Sequence, residues 1–319
     1  MFRKPRENSI GGKFLISGFT HEGKSWFSLT FPKIAAIDSE AGLAFEEGKN
    51  ITIAGKKYNN LVLVDTTNDL DTLEENLDAI INGEIDCETL LIDSETKFYN
   101  AIDIGATEAE ERKAKLAGKN VDARAKWGRI KNIVMKLQQA KITLSSQGKH
   151  VVSTAQASEI KDDDQKTIGF KEEVHKSLPY DYDVRLRFYV DTDKKTKERV
   201  FFAEVLKDRT HVTKVGDIIE NCTFDVWKPF FDERNKTGNK SGANFTKGLE
   251  NSVSGVLNDA EQSTKLADDV KSLIKDFKGN IDVQKRIKAK IDELKIDVKE
   301  MDFTDPDTLT ILLKYIRTL

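Results

Sequence analysis

The chain has little of what would make it a disulfide scaffold, a zinc protein or a membrane protein. Only two cysteines, Cys87 and Cys222, stand in 319 residues. With no CxxC pair and no cysteine–histidine spacing, they argue against a zinc cluster and a disulfide framework. Both read as small buried hydrophobes. The four histidines show no ligand spacing either. No run approaches the roughly 18 apolar residues a membrane helix needs, and the opening MFRKPRENSIGG has no apolar signal core. The expectation is a cytoplasmic protein with no membrane partner. Net charge is only −3, so no global field attracts nucleic acid, and any such contact must come from a local patch.

What is present is a balanced globular composition, 38% hydrophobic and 33% charged, with length for one full domain and a smaller appendage. KFLIS (residues 13–17) is a short apolar run leading into a glycine-bounded loop, and helix-compatible residues follow from 24 to 31. Pro32 closes that helix after about two turns. A second strand is expected over 33–38, and others at 61–64, 89–92 and 150–154. Helical patterns separate them at 70–81 and 125–144. Alternating strands and helices predict a mostly parallel sheet covered on both faces. Two strand-like runs, 183–190 and 199–206, flank the polar turn DTDKKTKE and predict an antiparallel hairpin at the sheet edge.

After the apolar segment 224–231, the stretch DERNKTGNKSGANFTKG has too little apolar surface to order itself. The expected organisation is a core at 1–235, a flexible linker at 236–248 and a helical C-terminal region at 249–319. In that last region Leu266, Val270, Leu273 and Phe277, then Val283, Ile287, Ile291 and Leu294, recur at helical spacing. Asp305 as N-cap and Pro306 at the first helical position open a final helix carrying Leu309, Leu312, Leu313 and Ile316.

The chemistry-bearing run is GFTHEGKS, residues 18–25, which fits G-x-x-x-x-G-K-[ST]. Glycines let backbone N–H groups turn inward around phosphate, Lys24 reaches the outer phosphates and the Ser25 hydroxyl can ligate magnesium. Gly18, Phe19, Thr20, His21, Glu22, Gly23, Lys24, Ser25 and Trp26 are therefore the candidate nucleotide-binding residues, with ATP and Mg²⁺ as cofactors. A metal-coordinating carboxylate should end an apolar strand at the sheet's C-terminal edge. TLLIDS supplies Asp93, paired with Ser25 as the candidate metal site. Hydrolysis also needs a group that activates water, and Asp38 and Glu40 follow the second strand.

IDSEAG (residues 37–42) resembles the RecA segment whose glutamate activates water, which implies Glu40 as the catalytic carboxylate, with Asp38 the competing candidate. HVVSTAQ, ending at Gln156, resembles the RecA strand whose terminal glutamine senses the terminal phosphate. EVLKDRT resembles the segment carrying basic fingers that enter a neighbouring subunit's site, which implies that role for Lys207 and Arg209; such cations stabilise charge on a transferred phosphoryl group. On the FP closure at Phe31 and Pro32, IDSEAG, LLIDSETKFY, AKWGRI, STAQ and KDRT, the chain from about Lys13 to Arg209 resembles the phage RecA-like single-strand annealing ATPases of the Sak type.

That resemblance implies a RecA-like P-loop core, single-stranded DNA as partner, a filament or ring of identical subunits, and a role in phage recombination within the bacterial host cytoplasm. The implied DNA loops are 103–124, with Arg112, Lys113, Lys115, Lys119, Arg124 and the adjoining Lys126, and 157–181, with Lys166, Phe170, Lys171 and Tyr180. Acids at 108–111 and in EIKDDDQK oppose both. Trp26, Trp127 and Trp227 read as packing residues. Lys285, Arg286, Lys288 and Lys290 form a basic run that suits a solvated helix face, and the C-terminal helices could recruit a single-strand-binding or other recombination protein. Two alternatives keep the fold: a ring-forming replicative helicase or helicase loader, and a nucleotide-dependent oligomeric scaffold.

Overall fold

A computed structural model describes residues 4, 6–121, 123–192, 197–236 and 238–319. The chain divides into two compact units, residues 1–246 and 247–319.

The first unit begins with β1 (Lys13–Gly18), α1 (Lys24–Ser28), β2 (Ile34–Asp38), a two-stranded hairpin of β3 (Ile51–Ile53) and β4 (Lys56–Tyr58), and β5 (Leu61–Thr66). Next come α2 (Leu70–Asn82), β6 (Thr89–Asp93), α3 (Glu95–Ala117), α4 (Ala123–Ser146), β7 (His150–Lys161), β8 (Thr167–Glu172) and α5 (Leu178–Asp181). It continues through β9 (Val184–Thr192), β10 (Arg199–Asp208), β11 (Ile218–Glu220) and α6 (Lys228–Asn235). The main sheet has the order β11-β10-β9-β1-β7-β6-β2-β5, with β8 paired to β7. From β9 to β5 all pairings are parallel, while β10 and β11 are antiparallel additions. This is the α/β class with a mostly parallel sheet that the alternating pattern predicts.

The strands read as continuous apolar runs because both faces are covered. On β2, Ile34 and Ala36 join the core under Phe27, Phe31, Phe224, Trp227 and Phe231. Ala35 and Ile37 point the other way, into the core made with α2, α3 and α4. Side chains alternate across a strand, so the buried runs of β1, β2 and β6 have no solvent face; the apolar run of the edge strand β5 differs, with Val62 and Leu63 exposed.

Several expectations change. The helix after the glycine loop ends at Ser28 rather than Phe31. Lys33 takes φ 38, and the Thr30 hydroxyl donates to Phe27 O while accepting from Phe224 N, which replaces further helix with a turn. The hairpin of β9 and β10 is present, but β11 lies outside it, so β10 is not the edge strand. Part of the DTDKKTKE turn lies outside the described residues.

Residues 103–124, expected as a loop, are mostly helix: α3 runs to Ala117 and α4 starts at Ala123. Ile102, Ala106 and Ala114 are buried on α3, a sparse apolar stripe among charges. Residues 157–181 hold the end of β7, β8 and α5, a hairpin in place of a loop. The segment 238–244 has neither helix nor strand, yet hydrogen bonds tie it to the first unit: Ser9 N donates to Asn239 O, Ser241 N to Ser146 O and Ser146 Oγ to Ala243 O.

α7 (Phe245–Asp276) begins at the end of the first unit and leads into the second, which adds α8 (Ile281–Glu293) and α9 (Pro306–Ile316). Ala267, Val270, Val283, Ile287, Ile291, Leu309, Leu312, Leu313 and Ile316 form its core. Asp305 caps α9 by accepting from Thr308 N, with Pro306 in the first turn.

Candidate functional site

The parallel strands converge on one edge, where each contributes a different chemical group. β1 delivers the loop 18–25. His21 and Gly23 take φ 63 and 91, the left-handed conformations that let a backbone curl its amides toward one centre. Gly23 has a second constraint, since an added Cβ would meet the Phe201 ring at 3.0 Å. The loop is closed by its own side chains: Lys24 Nζ donates to Gly18 O at 3.0 Å and Phe19 O at 2.6 Å, and Phe19 N donates to Glu22 Oε2. Burial lowers the Lys24 ammonium's pKa, opposed by Asp93, Glu22 and Glu40.

β6 delivers Asp93, one strand away across β7. The Ser25 hydroxyl donates to Asp93 Oδ2 at 2.7 Å, and the Thr154 hydroxyl, from β7, donates to Oδ1 at 2.5 Å. Burial raises the Asp93 pKa, offset by these two hydroxyls. Behind it, Glu95 opens α3 with its carboxylate 2.7 Å from Lys141 Nζ, both side chains buried. The Tyr182 hydroxyl, within reach of Lys141, donates to Ser153 Oγ at 2.6 Å.

β2 ends at one of the two competing acids, Asp38, and the other, Glu40, follows in the turn; their partners separate them. Asp38 is 1% exposed, and its oxygens accept from the backbone N–H groups of Glu40, Gly42 and Leu43. It organises the turn and does not line the cavity that holds Lys24, Ser25 and Asp93. Glu40 faces the cavity, where Oε1 accepts from Ser94 Oγ at 2.8 Å and Gln156 Nε2 at 3.3 Å. Gln156 is itself placed by Thr96, whose hydroxyl accepts from Gln156 N.

Lys24, Ser25, Glu40, Asp93, Ser94 and Gln156 line a cavity of about 590 Å³ together with Thr20, His21, Glu22, Trp26, Phe45 and Arg199. Protein pockets for small ligands run to about 300–1,000 Å³, so the space suits a nucleotide. Ser25 and Asp93 fit Mg²⁺, which takes one or two protein oxygens and keeps several waters. No cluster of three or more His, Cys, Asp or Glu groups suited to a metal occurs among the described residues.

Of the residues singled out in the sequence, Lys24, Ser25, Glu40, Asp93 and Gln156 are brought together. Lys207 and Arg209 are not. β10 runs antiparallel to β9, so its start lies beside the loop and its end at the opposite edge. There Lys207 Nζ and Arg209 donate to Tyr180 O, and Arg209 pairs with Asp183. Lys207 and Arg209 lie six and eight residues beyond Phe201, the β10 residue nearest them that lines the cavity, at about 3.3 Å per residue. Among the residues β10 does bring to the cavity, with Phe201, is Arg199, which donates to His21 O at 3.1 Å. Sequence reading passes over it because an arginine beside a polar turn looks solvated; only the strand register reveals it.

The two DNA-candidate segments are more neutral than their lysines suggest. Arg112 pairs with Glu108, Lys113 with Glu110 and Lys126 with Asp103. On the β7–β8 hairpin and just beyond it, Lys166 pairs with Asp164 and Lys171 with Glu173. Phe170 packs edge-on to Phe19 of the loop and under the Arg187 guanidinium. Trp227 is fully buried, but Trp26 and Trp127 are 43% and 53% exposed, unlike packing residues. Cys87 and Cys222 are both buried.

A family model described as an AAA domain matches residues 11–215, more than half of the chain. No curated protein matches the sequence. Among solved structures, the flagellar accessory protein FlaH from Methanocaldococcus jannaschii is similar, at 12% identity and a TM-score of 0.35, over 67% of this chain and 85% of that one. No helix among the described residues is long and apolar enough to cross a membrane.

Proposed function

Because the chain belongs to the AAA-domain family of P-loop ATPases, we propose that it hydrolyses ATP with Mg²⁺ and uses that cycle as an oligomer on single-stranded DNA in recombination. The observation that carries the ATPase reading is the meeting of Lys24, Ser25, Asp93, Glu40 and Gln156 around one cavity. Two of the internal contacts there are ones a nucleotide and its metal can replace. Lys24 holds loop carbonyls where it would hold phosphate oxygens, and Ser25 holds Asp93 where both would hold the metal. The metal's part is to neutralise charge on the phosphates. Glu40 accepts a proton from the attacking water, and Gln156, hydrogen-bonded to it, reports whether the terminal phosphate is present.

The position of Lys207 and Arg209 supports assembly. A role for them at a phosphate requires the cavity of another subunit. The DNA part of the proposal rests on the likeness of IDSEAG, STAQ and KDRT to recombinase segments, and on the hairpin that continues from Gln156 and touches the loop through Phe19 and Phe170.

The test is ATP turnover with and without single-stranded DNA, with particles imaged by electron microscopy. Stimulated turnover and closed or helical assemblies are expected. Turnover without DNA response removes the recombination reading and leaves a scaffold; absence of turnover removes both.

A further inference from the structure

Four consecutive residues at the end of β6 and the start of α3 each reach a different element. Asp93 accepts from Ser25 and Thr154. The Ser94 hydroxyl donates to Glu40 Oε1, and the Thr96 hydroxyl accepts from Gln156 N at 2.9 Å. Between those two stands Glu95, whose partner does not line the cavity: Lys141 of α4, which is 1% exposed. We propose that Lys141 is a positioning residue for hydrolysis: by clamping Glu95 it fixes Ser94 and Thr96, and through them the placement of Glu40 and Gln156. The proposal rests on the reading of Glu40 and Gln156 as the residues that activate water and sense the terminal phosphate.

Three observations support it. First, α3 needs an anchor at this end. Ser94 is its N-cap residue but makes no capping bond, because its hydroxyl goes to Glu40. A serine N-cap ordinarily accepts from an amide of the first turn. Here the first turn is held through Glu95 instead.

Second, the clamp is complete. Lys141 Nζ donates to both oxygens of Glu95 at 2.7 Å and to the Tyr182 hydroxyl at 3.4 Å, which uses all three of its N–H groups. The Tyr182 hydroxyl donates in turn to Ser153 Oγ, and Ser153 precedes Thr154, one of the two hydroxyls on Asp93. Burial, and then the Glu95 charge, raise the Tyr182 pKa well above its ordinary value, so this hydroxyl stays a donor. One ammonium thereby ties together the start of α3, α4 and β7.

Third, stability alone does not call for an ion pair at this place. Phe98 and Ile102 of α3 and Leu137 and Leu144 of α4 belong to one apolar core. Exchanging a buried pair for apolar side chains of similar volume is often neutral or stabilising. What an apolar pair lacks is direction, since it fills space without fixing how residues 94 and 96 are presented.

The experiment measures ATP turnover in Mg²⁺, and affinity for a non-hydrolysable ATP analogue, in wild type, Glu40→Gln, Glu95→Gln and the double variant Glu95→Met/Lys141→Met. The double variant removes both charges at once, because Lys141→Met alone strands a buried carboxylate at a cost that threatens the fold. Its urea midpoint should stay near that of wild type and its analogue affinity within about two-fold, while kcat falls about ten- to hundred-fold. Glu95→Gln keeps one acceptor for Lys141, and its kcat should fall about three-fold. A folded double variant with wild-type kcat overturns the proposal, as does a loss of analogue affinity in proportion to kcat. If the double variant does not fold, unchanged kcat in Glu95→Gln overturns it. If wild type does not turn over, or Glu40→Gln turns over as fast, the reading of Glu40 as the base falls, and the positioning role with it.

Discussion

Both edges of the parallel sheet carry buried polar groups, but they are satisfied in different ways. At the C-terminal edge, hydroxyls and an ammonium are matched to groups beside an open cavity: Ser25 and Thr154 to Asp93, Ser94 to Glu40, Lys24 to loop carbonyls. At the N-terminal edge the matches are sealed. Lys13 Nζ meets Asp183 Oδ2 at 2.8 Å with both side chains largely buried. His150 Nδ1 accepts from Gly12 N at 3.0 Å within a cage of Phe31, Phe224 and Phe231. An added Cβ on Gly11 would lie 1.8 Å from Lys149 O. A buried polar group signals function only when its partner can be exchanged for a ligand. Asp38 shows the distinction within one edge: it ends β2 in register with Asp93, yet backbone amides consume it.

Variants at the two edges should therefore fail differently. The largest effect belongs to Glu40→Gln, which keeps an acceptor for Ser94 but removes the base. Steady-state phosphate release should fall by about 10²- to 10⁴-fold with ATP affinity retained. At the sealed edge, Lys13→Met removes the 2.8 Å partner of Asp183 and leaves it the more distant Arg209, at 3.6 Å. Urea unfolding should show a loss of about 1.5–3 kcal/mol, with ATP affinity of the folded fraction unchanged.

Next comes a pH effect confined to the sealed edge. Burial lowers the His150 pKa from 6.5 to about 4. The unfolded chain thus takes up a proton that the folded chain refuses, and stability present above pH 6.5 is lost as pH falls toward about 4. At pH 5 the loss relative to pH 7.5 should be about 2 kcal/mol, read as a drop in urea midpoint that His150→Asn does not share. The smallest expected effect is that of Arg209→Ala on the stability of an isolated subunit, within about 0.5 kcal/mol. If turnover in the assembled protein falls in the same variant, and mixing with Lys24→Ala subunits restores part of it, the cation acts on a neighbour's cavity.

Much of the open edge is legible in the sequence because strands that end there are buried on both sides and carry short apolar stretches: KFLIS before the loop, TLLID before Ser94, HVVSTA before Gln156. The caps Asp305 and Pro306 mark α9 for a similar reason, since local hydrogen bonding needs no tertiary information. What escapes is set by distance along the chain. β3, β4 and β11 have three residues each, too few for any period. The charges that make 103–124 resemble a loop are the solvent face of α3, and EIKDDDQK hides a hairpin because its strands have an exposed face. Arg199 and Phe201 reach the cavity through the pairing of β9 and β10, a register that composition cannot reveal.

The account's central claim is that the open edge is an ATP-hydrolysing site centred on the loop 18–25 and Asp93. Phosphate release from ATP and Mg²⁺ by the purified chain, measured beside Asp93→Asn, tests it most directly. Turnover by the wild type and a loss of at least about 100-fold in the folded variant is the predicted result. No turnover by the wild type, or equal turnover by the two proteins, would contradict it.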